Sequence, residues 1–307
     1  MLAAALATFL FSFSIIFGHR ASKLIGGSEA NFWRLAIGTT LLGTCSYIFG
    51  IGLGGPAMPL FFLSGLVGFG FGDLALYQAL PRLGSRLTTI FMQCLTAPIA
   101  VLIEWFWLDT RLSPAQLGAM AVILCGVAVA VAPEKESKHT RADLWIGGAF
   151  GLLAAVGSAL GGVLSRKAYA LSDATGESIS GMNAAFQRVV GGLLVAGVAL
   201  LIVRWKQHGY STRPQDLPSV GVAAKKWRAL WPWVFGNALA GVTLGGTCQQ
   251  WALHTTPAGI VFTIIALMPL TVMPLAVIFE GERITRRSVA GVVIAVTGVI
   301  VLMNSKP

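Results

Sequence analysis

Long apolar segments, each near the length needed to cross a bilayer, constrain this chain more than any other feature. A membrane-spanning helix requires about 20 apolar residues. Charged residues make up only 11% of the chain, whereas a soluble domain carries about 25%. The sequence therefore predicts an all-α polytopic membrane protein with ten transmembrane helices. The predicted spans are 2–18, 32–51, 58–80, 84–107, 114–132, 144–165, 180–203, 230–253, 258–279 and 286–303.

Two parts of the chain repeat each other at a constant offset. The stretch that begins Tyr77-Gln-Ala-Leu matches the one that begins Gln250-Trp-Ala-Leu, and Gly118 matches Gly291 at the same offset. Earlier in the chain, Asn31-Phe-Trp-Arg resembles Ala185-Phe-Gln-Arg at a smaller offset. The longer connector at 204–229 accounts for the difference.

The repeat divides the chain into two halves of five helices each. We assign residues 1–132 to the first five-helix repeat, 133–143 to a charged linker loop and 144–304 to the second repeat. Because five is odd, the second repeat is expected to be inverted relative to the first. Inverted repeats with a binding site near the membrane midplane are typical of secondary transporters.

Each half also contains a junction that resembles a known family. Leu108-Asp-Thr-Arg-Leu-Ser and Glu280-Gly-Glu-Arg-Ile-Thr are similar to the LGERLS junction of EamA-type proteins in the drug/metabolite transporter superfamily. The first junction departs from the pattern, with Asp109-Thr110 where Gly-Glu is usual. The resemblance covers nearly the whole chain twice. It implies transport of a small metabolite, often by export or exchange, and does not identify the metabolite.

The distribution of basic residues predicts the orientation. With ten helices both termini lie on one side, and that side carries four of the 22 lysines and arginines, whereas the opposite side carries sixteen. Basic loops face the cytoplasm, so we expect both termini outside. The first segment lacks a preceding basic region, and we interpret it as a retained helix. We expect a multi-pass protein of the bacterial inner membrane.

Four charged residues inside the apolar segments are candidate coupling or structural charges, because a charge there must face a partner, a cavity or water. Asp73 is either a site for a substrate ammonium group or a proton, or a structural partner of Arg34. Arg34 and Arg188 occupy equivalent positions in the two halves. The alternatives for them are binding of an anion, gating of the pathway and a structural role in stabilising the fold. Glu104, near a helix end, is an interfacial anchor or a proton carrier.

Uncharged polar residues form stripes at helical spacing on the fourth and eighth predicted helices. Such stripes line a hydrophilic cavity or form interhelical hydrogen bonds. The candidate substrate-binding residues, with Asp73, are Ser12, Tyr77, Thr89, Gln93, Thr96, Ser158, Asn237, Thr243, Thr247, Gln250 and Trp251.

Prolines and glycines mark further candidate positions. Pro98, Pro269 and Pro274 interrupt the fourth and ninth predicted helices, where a freed carbonyl is tolerated if it is buried or lines a cavity. We therefore expect helix breaks, with a gating role, beside the site. The pairs Gly68/Gly72, Gly157/Gly161 and Gly241/Gly245 predict close helix crossings.

The leading hypothesis is a secondary transporter, acting as an exporter or exchanger, with a central cavity for a small polar metabolite such as an amino acid. The sequence contains no GxxxxGK[ST], HExxH or GxSxG motif, so we expect no enzyme activity, cofactor or metal. The alternatives are a passive channel or facilitator and a membrane-embedded lipid-handling protein. The expected partners are membrane lipids and a small-molecule substrate, and coupling to protons is left open. We expect no binding of nucleic acid. The oligomeric state is left open, and a monomer is plausible.

Overall fold

The described part of the protein is a bundle of apolar helices. The computed structural model describes residues 1–131, 141–210, 220–272 and 286–305, and no strand occurs among them. A bilayer requires each backbone polar group to be bonded within the protein, and an α-helix satisfies that requirement within one segment. The predicted all-α membrane fold is confirmed. The helices are α1 Leu2–Ile25, α2 Gly27–Phe49, α3 Met58–Gly65, α4 Asp73–Leu108, α5 Pro114–Val131, α6 Arg141–Ala174, α7 Gly181–Tyr210, α8 Val220–Asn237, α9 Gly246–Thr255, α10 Ala258–Ile265 and α11 Arg286–Asn304.

Four described helical stretches are long and apolar enough to cross a membrane: Leu2–Ser22, Met58–Leu76, Arg141–Ala174 and Gly181–Trp205. Four shorter apolar helices accompany them: Met92–Leu108, Pro114–Val129, Ala258–Val272 and Val289–Asn304. The second and eighth predicted spans contain more polar residues and are absent from both sets. A count of ten spans therefore stays a prediction.

Helix α4 covers the end of the third predicted span and all of the fourth. The chain nevertheless changes its direction relative to α6 between the two spans. The Ser64 hydroxyl donates to the Gly161 carbonyl oxygen at 2.5 Å, and Gly72 lies against Gly157, so this part runs antiparallel to α6. Further along the chain, Leu83 lies against Gly147 and Glu104 pairs with Arg166. The segment from Leu83 to Glu104 therefore runs parallel to α6.

The reversal falls near the break expected between 80 and 84. Pro81 and Gly84 lie in this stretch, and proline is an established cause of sharp helix bends. The helix Asp73–Leu108 therefore includes the predicted boundary between the third and fourth spans.

Two π-helices lie at equivalent positions in the halves. Leu66–Gly72 connects α3 to α4, and Ala238–Gly245 connects α8 to α9. Gly118 and Gly291 are related by the offset between the repeats. The same offset places the first π-helix on Leu239–Gly245, which lies within the second π-helix. The sequence repeat is therefore accompanied by a repeat in backbone conformation, and π-helical segments are frequent at functional sites.

The first helix of each half lies against the third helix of the other half. In α6, Gly157 and Gly161 meet Gly72 and Gly68 of the first π-helix. In α1, Ser14 lies against Gly241 of the second π-helix. Glycine allows the backbones to approach closely at these crossings, so the halves interlock around a shared interior.

The start of α1 and the end of α11 lie at one end of the bundle, hereafter the terminal end. The hydroxyls of Thr8 and Ser12 reach the carbonyl oxygens of Ile264 and Met268, so α1 runs parallel to the chain after Ala258. The last helix runs antiparallel to α5, with Gly298 beside Ile123, so it ends near the start of α5. The opposite end carries the turn between α1 and α2.

The first, sixth and seventh predicted spans end several residues before the observed helices do. The sixth, expected to end at 165, continues to Ala174, and the first continues past 18 to Ile25. Arg166 and Lys167 therefore lie in a helix and not in a loop. Each has a partner that makes this position tolerable, a carboxylate for Arg166 and the Trp107 ring, 4.3 Å away, for Lys167.

Candidate functional site

A cavity of about 320 Å³ lies between the two halves. Residues of α1, α2, the first π-helix and α4 line one part of it, and residues of α6 to α10 line the rest. Along α1 the lining extends from Phe11 to Ser22. Because α1 begins at the terminal end, the cavity reaches from the middle of the bundle toward the opposite end. Its volume is at the lower bound of small-molecule sites.

Three charged side chains line the cavity: Arg34, Asp73 and Arg188. An Arg34 terminal nitrogen lies 2.5 Å from an Asp73 carboxylate oxygen, and the Arg34 Nε donates to Asn31 Oδ1 at 2.7 Å. The two side chains are 16% and 10% exposed. The structure therefore pairs Asp73 with Arg34, the structural alternative considered for both residues, and places that pair on the cavity wall.

Arg188 occupies the equivalent position in the second half and faces the same cavity. It is 4% exposed, and its guanidinium lies 4.8 Å from the centre of the Phe69 ring. The Nε and Nη1 atoms have no hydrogen-bond partner. The third nitrogen, Nη2, lies between Gly68 and Gly161. A Cβ atom at Gly68 would be 2.8 Å from Nη2, and one at Gly161 would be 3.0 Å from it.

Amides and hydroxyls supply the other polar groups of the cavity. Four predicted residues line it besides Asp73, namely Gln93, Thr96, Ser158 and Asn237. Gln249, Ser14 and Ser22 also line it and were missed by the sequence reasoning. The Ser14 hydroxyl donates to Asn237 Oδ1 at 2.6 Å. Helix α1, which the sequence reasoning represented by Ser12, therefore contributes through different residues.

The second π-helix explains why Gln249 was missed. In an α-helix of 3.6 residues per turn, Asn237 and Gln249 would point in directions about 120° apart. A π-helix bonds each amide one residue further back and so takes more residues per turn. Between Asn237 and Gln249 the segment Ala238–Gly245 is π-helical, and both side chains face the cavity.

The same register shift removes the predicted stripe Thr243, Thr247 and Gln250 from the cavity wall. The Thr247 hydroxyl donates to the Thr243 carbonyl oxygen at 2.6 Å. Gln250 is 1% exposed, and neither amide atom has a hydrogen-bond partner. Trp251 is 57% exposed on the outside of the bundle, so its predicted place in the cavity wall is wrong. The side chains of Tyr77 and Thr89 lie outside the described part of the structure.

A broken helix borders the cavity after α10. The helix ends at Ile265, shortly before Pro269, whose ring disfavours helical geometry in the residue before it. Hydroxyls of α1 reach carbonyl oxygens around the break: Thr8 donates to Ile264 at 3.1 Å, and Ser12, which also contacts the Thr271 hydroxyl, reaches Met268 at 3.5 Å. Ser12 therefore supports the break and does not line the cavity.

The proline predictions have different outcomes. The break after α10 lies beside Pro269, as expected. Pro98 lies inside α4, with helical residues on both sides, and is exposed, so no break forms at this residue. Pro274 lies outside the described residues. Neither Pro98 nor Pro269 lines the cavity.

A second buried ion pair joins the halves near the terminal end. The Arg166 Nε lies 2.7 Å from Glu104 Oε1, and the Arg166 Nη1 donates to the carbonyl oxygens of Leu253 and Thr256 at 3.0 and 2.6 Å. The Gly259 amide donates to Glu104 Oε2 at 3.1 Å. We call this group the terminal latch.

The terminal latch corrects the expectation that Glu104 anchors the protein at the membrane interface. Glu104 is 1% exposed and faces the first turn of α10. A helix N-terminus favours negative charge, and Arg166 supplies the balancing positive charge. Spacing along α4 could not show this, because the partners come from the other half.

A polar network also closes the terminal end beside the terminal latch. Asn183 Oδ1 accepts hydrogen bonds from the amides of Ile51 and Gly52 at 3.0 and 3.1 Å. The Gln187 side-chain amide donates to the carbonyl oxygens of Gly52 and Gly54 at 3.0 and 2.8 Å. These bonds hold the loop between α2 and α3 to α7 of the second half. The sequence reasoning did not single out Asn183 or Gln187.

This geometry, a cavity at the interface of two repeated helical units, is that of a membrane transporter. A family model described as "EamA-like transporter family" matches residues 1–132 and 145–304. The chain belongs to the EamA-like transporter family, which confirms the resemblance at the two junctions. It is an integral, multi-pass membrane protein.

The structural comparison agrees with the fold. One solved structure, titled "Crystal structure of protein", has a TM-score of 0.74 and 14% sequence identity over 97% of this chain and 95% of its own. At that identity the likeness shows the fold alone. The comparison with curated proteins gave no match.

Proposed function

We propose that this protein is a secondary active transporter that carries a small polar metabolite by alternating access. The observation that carries the proposal is a buried, partly charged cavity that both halves line and that polar contacts between the halves close at the terminal end. A site at the interface of repeats becomes accessible from alternate sides when one repeat rocks against the other.

The terminal latch supports a closed state at one end. Separating the two charges of a buried ion pair is unfavourable as long as either charge stays out of water. Opening the terminal end therefore requires a compensating change, such as new contacts at the opposite end. There, Arg204 and Glu29 form an exposed pair of 2.9 Å between the halves, and exposed pairs contribute little.

The direction and location of transport are proposed on other grounds. The excess of basic residues predicted for the side of the opposite end favours a cytoplasmic position for that end, which would make the described conformation cytoplasm-facing. In a bacterium the protein would lie in the inner membrane. The family resemblance favours export or exchange, driven by gradients.

Counterflow in reconstituted vesicles tests the proposal. Vesicles containing purified protein are loaded with unlabelled amino acids, nucleosides, sugars and organic acids, and uptake of each labelled compound is measured after dilution. A carrier accumulates labelled substrate transiently above the external concentration. Equilibration without such an overshoot indicates a channel, and no uptake of any compound contradicts transport of these metabolites.

A matched variant makes the counterflow test specific. Arg111 lies on the surface, with a side chain 79% exposed, and does not line the cavity. Arg111→Gln should therefore retain counterflow. Arg188→Gln, which removes the buried guanidinium, should abolish it while the protein remains monodisperse in detergent.

A further inference from the structure

We infer that Arg188 binds the carboxylate of a monoanionic substrate, and that the cavity favours such anions over zwitterions and cations of the same carbon skeleton. The inference rests on the proposed function, because it treats the cavity as the substrate site. It concerns the charge of the substrate, which the family resemblance leaves open.

The first support is the unused hydrogen-bonding capacity of Arg188. A guanidinium carries five N–H donors and stays protonated in proteins. In this site Nε and Nη1 have no partner, although the residue is 4% exposed. A buried unpaired charge is costly, and hydrogen bonds to an oxyanion would satisfy it.

The second support is the charge of the cavity wall. Among the described lining residues the ionisable groups are Arg34, Asp73 and Arg188, which leaves one positive charge in excess. No carboxylate among the described residues lies within ion-pair distance of Arg188. The equivalent arginine of the first half has Asp73 as its partner, so a bound carboxylate would give each of the two arginines one acid.

The third support concerns what the cavity lacks for an ammonium group. Asp73 is the one acidic residue among the described lining residues, and Arg34 already holds it at 2.5 Å. A zwitterion such as an amino acid would bring a third cation next to the two arginines. Of the two alternatives for Asp73, the structural partner of Arg34 fits this arrangement better than the ammonium site, and the anion site lies at Arg188.

Charge and shape favour a carboxylate over a phosphate ester. A phosphate monoester carries about −1.5 to −2 at neutral pH, which exceeds the single excess charge of the site. Much of the wall is apolar, with Phe11, Ile15, Phe262 and Ile265 among its residues. A substrate with one carboxylate and an apolar portion matches this lining.

Ligand-dependent stability of the purified protein tests the inference with two matched series. The first contains 4-methylpentanoate, 4-methylpentanamide, leucine and leucinamide, which share a skeleton and differ in charge. The second contains 3-phenylpropanoate, its amide, phenylalanine and phenylalaninamide. A ligand that binds the folded state raises the melting temperature by mass action. We expect the carboxylate of at least one series to stabilise the protein at a concentration at least about tenfold below its amide and its amino acid.

Variants connect that preference to Arg188. Arg188→Gln should remove the preference for the carboxylate over its amide, and Arg188→Lys should retain part of it because the charge remains. Arg111→Gln should leave it unchanged. If Arg188→Gln does not fold, the partial loss of preference expected for Arg188→Lys carries the comparison, and an unchanged preference in Arg188→Lys contradicts binding by the guanidinium.

The outcomes separate this inference from the proposed function. Equal effects of carboxylate and amide, a preference for the amino acid or its amide, or stabilisation by inorganic phosphate alone overturns the carboxylate site, even if counterflow of another compound proves transport. A carboxylate preference that Arg188→Gln removes, without counterflow of any labelled probe, supports the binding site and contradicts the transporter.

Discussion

Asp73 and Arg34 form an ion pair of 2.5 Å on the wall of the central cavity. The pair joins α4 to α2, and Asp73 directly follows the first π-helix. An ion pair inside a membrane-spanning bundle has two interpretations, a brace of the fold and a part of the transport cycle. They predict different results when both charges are removed together.

Asp73→Asn should lower both stability and transport. Removing one member of a buried pair costs about 3–5 kcal/mol, so the melting temperature should fall. The double variant Asp73→Asn with Arg34→Gln removes both charges and should recover much of the stability. If Asp73 acts in the cycle, counterflow stays low in the double variant. Recovery of counterflow together with stability would assign the pair a structural role.

Arg166→Gln should open the terminal end. The change leaves the Glu104 carboxylate without its charged partner and removes the bonds to Leu253 and Thr256. The measurement is labelling of Thr256→Cys, in a background without Cys45, Cys94, Cys125 and Cys248, by a membrane-impermeant maleimide. Thr256 is 9% exposed, so labelling should be slow alone and several times faster with Arg166→Gln.

A matched control keeps the latch experiment specific. Arg204→Gln breaks the exposed pair with Glu29 at the opposite end and should not increase labelling at Thr256→Cys. Equal labelling with intact and broken latch would show that the Glu104–Arg166 pair does not hold the terminal end closed.

Gly65→Ala should disrupt the contact between α3 and α7. A Cβ at Gly65 would lie 1.7 Å from the Arg188 carbonyl oxygen, which is backbone and cannot rotate away. Overpacking costs about 1–3 kcal/mol, occasionally more, so the melting temperature in detergent should fall markedly. Gly118→Ala is the control, because nothing lies within 4 Å of its Cβ position. A melting temperature equal to that of the unmodified protein would contradict this close approach.

Hydropathy and internal repetition predicted the helical class of this protein, and the resemblance of its two junctions predicted the family. The three signals are local or regular: apolar length, the constant offset between the repeats and the junction near Asp109. The intramembrane charges Asp73, Arg34 and Arg188 were also identified from sequence, because any charge in an apolar segment needs an explanation. The pairing of Asp73 with Arg34, 39 residues away, was one of the alternatives considered, but spacing alone could not decide between a pair and a substrate site.

The errors have two physical origins. The π-helix before Gln249 changes the register of one helix, so an α-helical stripe selects the wrong face. The latch joins Glu104 to groups that are distant in the sequence and belong to the other half, so it depends on how the halves interlock. Glycine spacing showed where helices cross but not that the Gly68–Gly161 crossing holds the Arg188 guanidinium.

The register shift leads to opposite expectations for two neighbouring glutamines. Gln249 lines the cavity, so Gln249→Leu should impair counterflow with little loss of stability. Gln250 is buried with both amide atoms unpaired, so Gln250→Leu should leave the melting temperature unchanged or raise it by the removal of an unsatisfied polar group. The reverse pattern, with counterflow dependent on Gln250 and not on Gln249, would support the uninterrupted α-helical register.

The orientation of the termini is testable with fusions at the C-terminus. A phosphatase that is active only outside the cytoplasm and a fluorescent protein that folds only inside it are each joined after Pro307. The helices place the start of α1 and the end of α11 at the terminal end of the bundle, and the sixteen basic residues of the opposite side favour an external position for that end. The phosphatase fusion should therefore be active and the fluorescent fusion dark, whereas insertions of the same reporters within 133–143 should give the opposite result. A fluorescent C-terminal fusion would invert the topology, and the described conformation would then face outward.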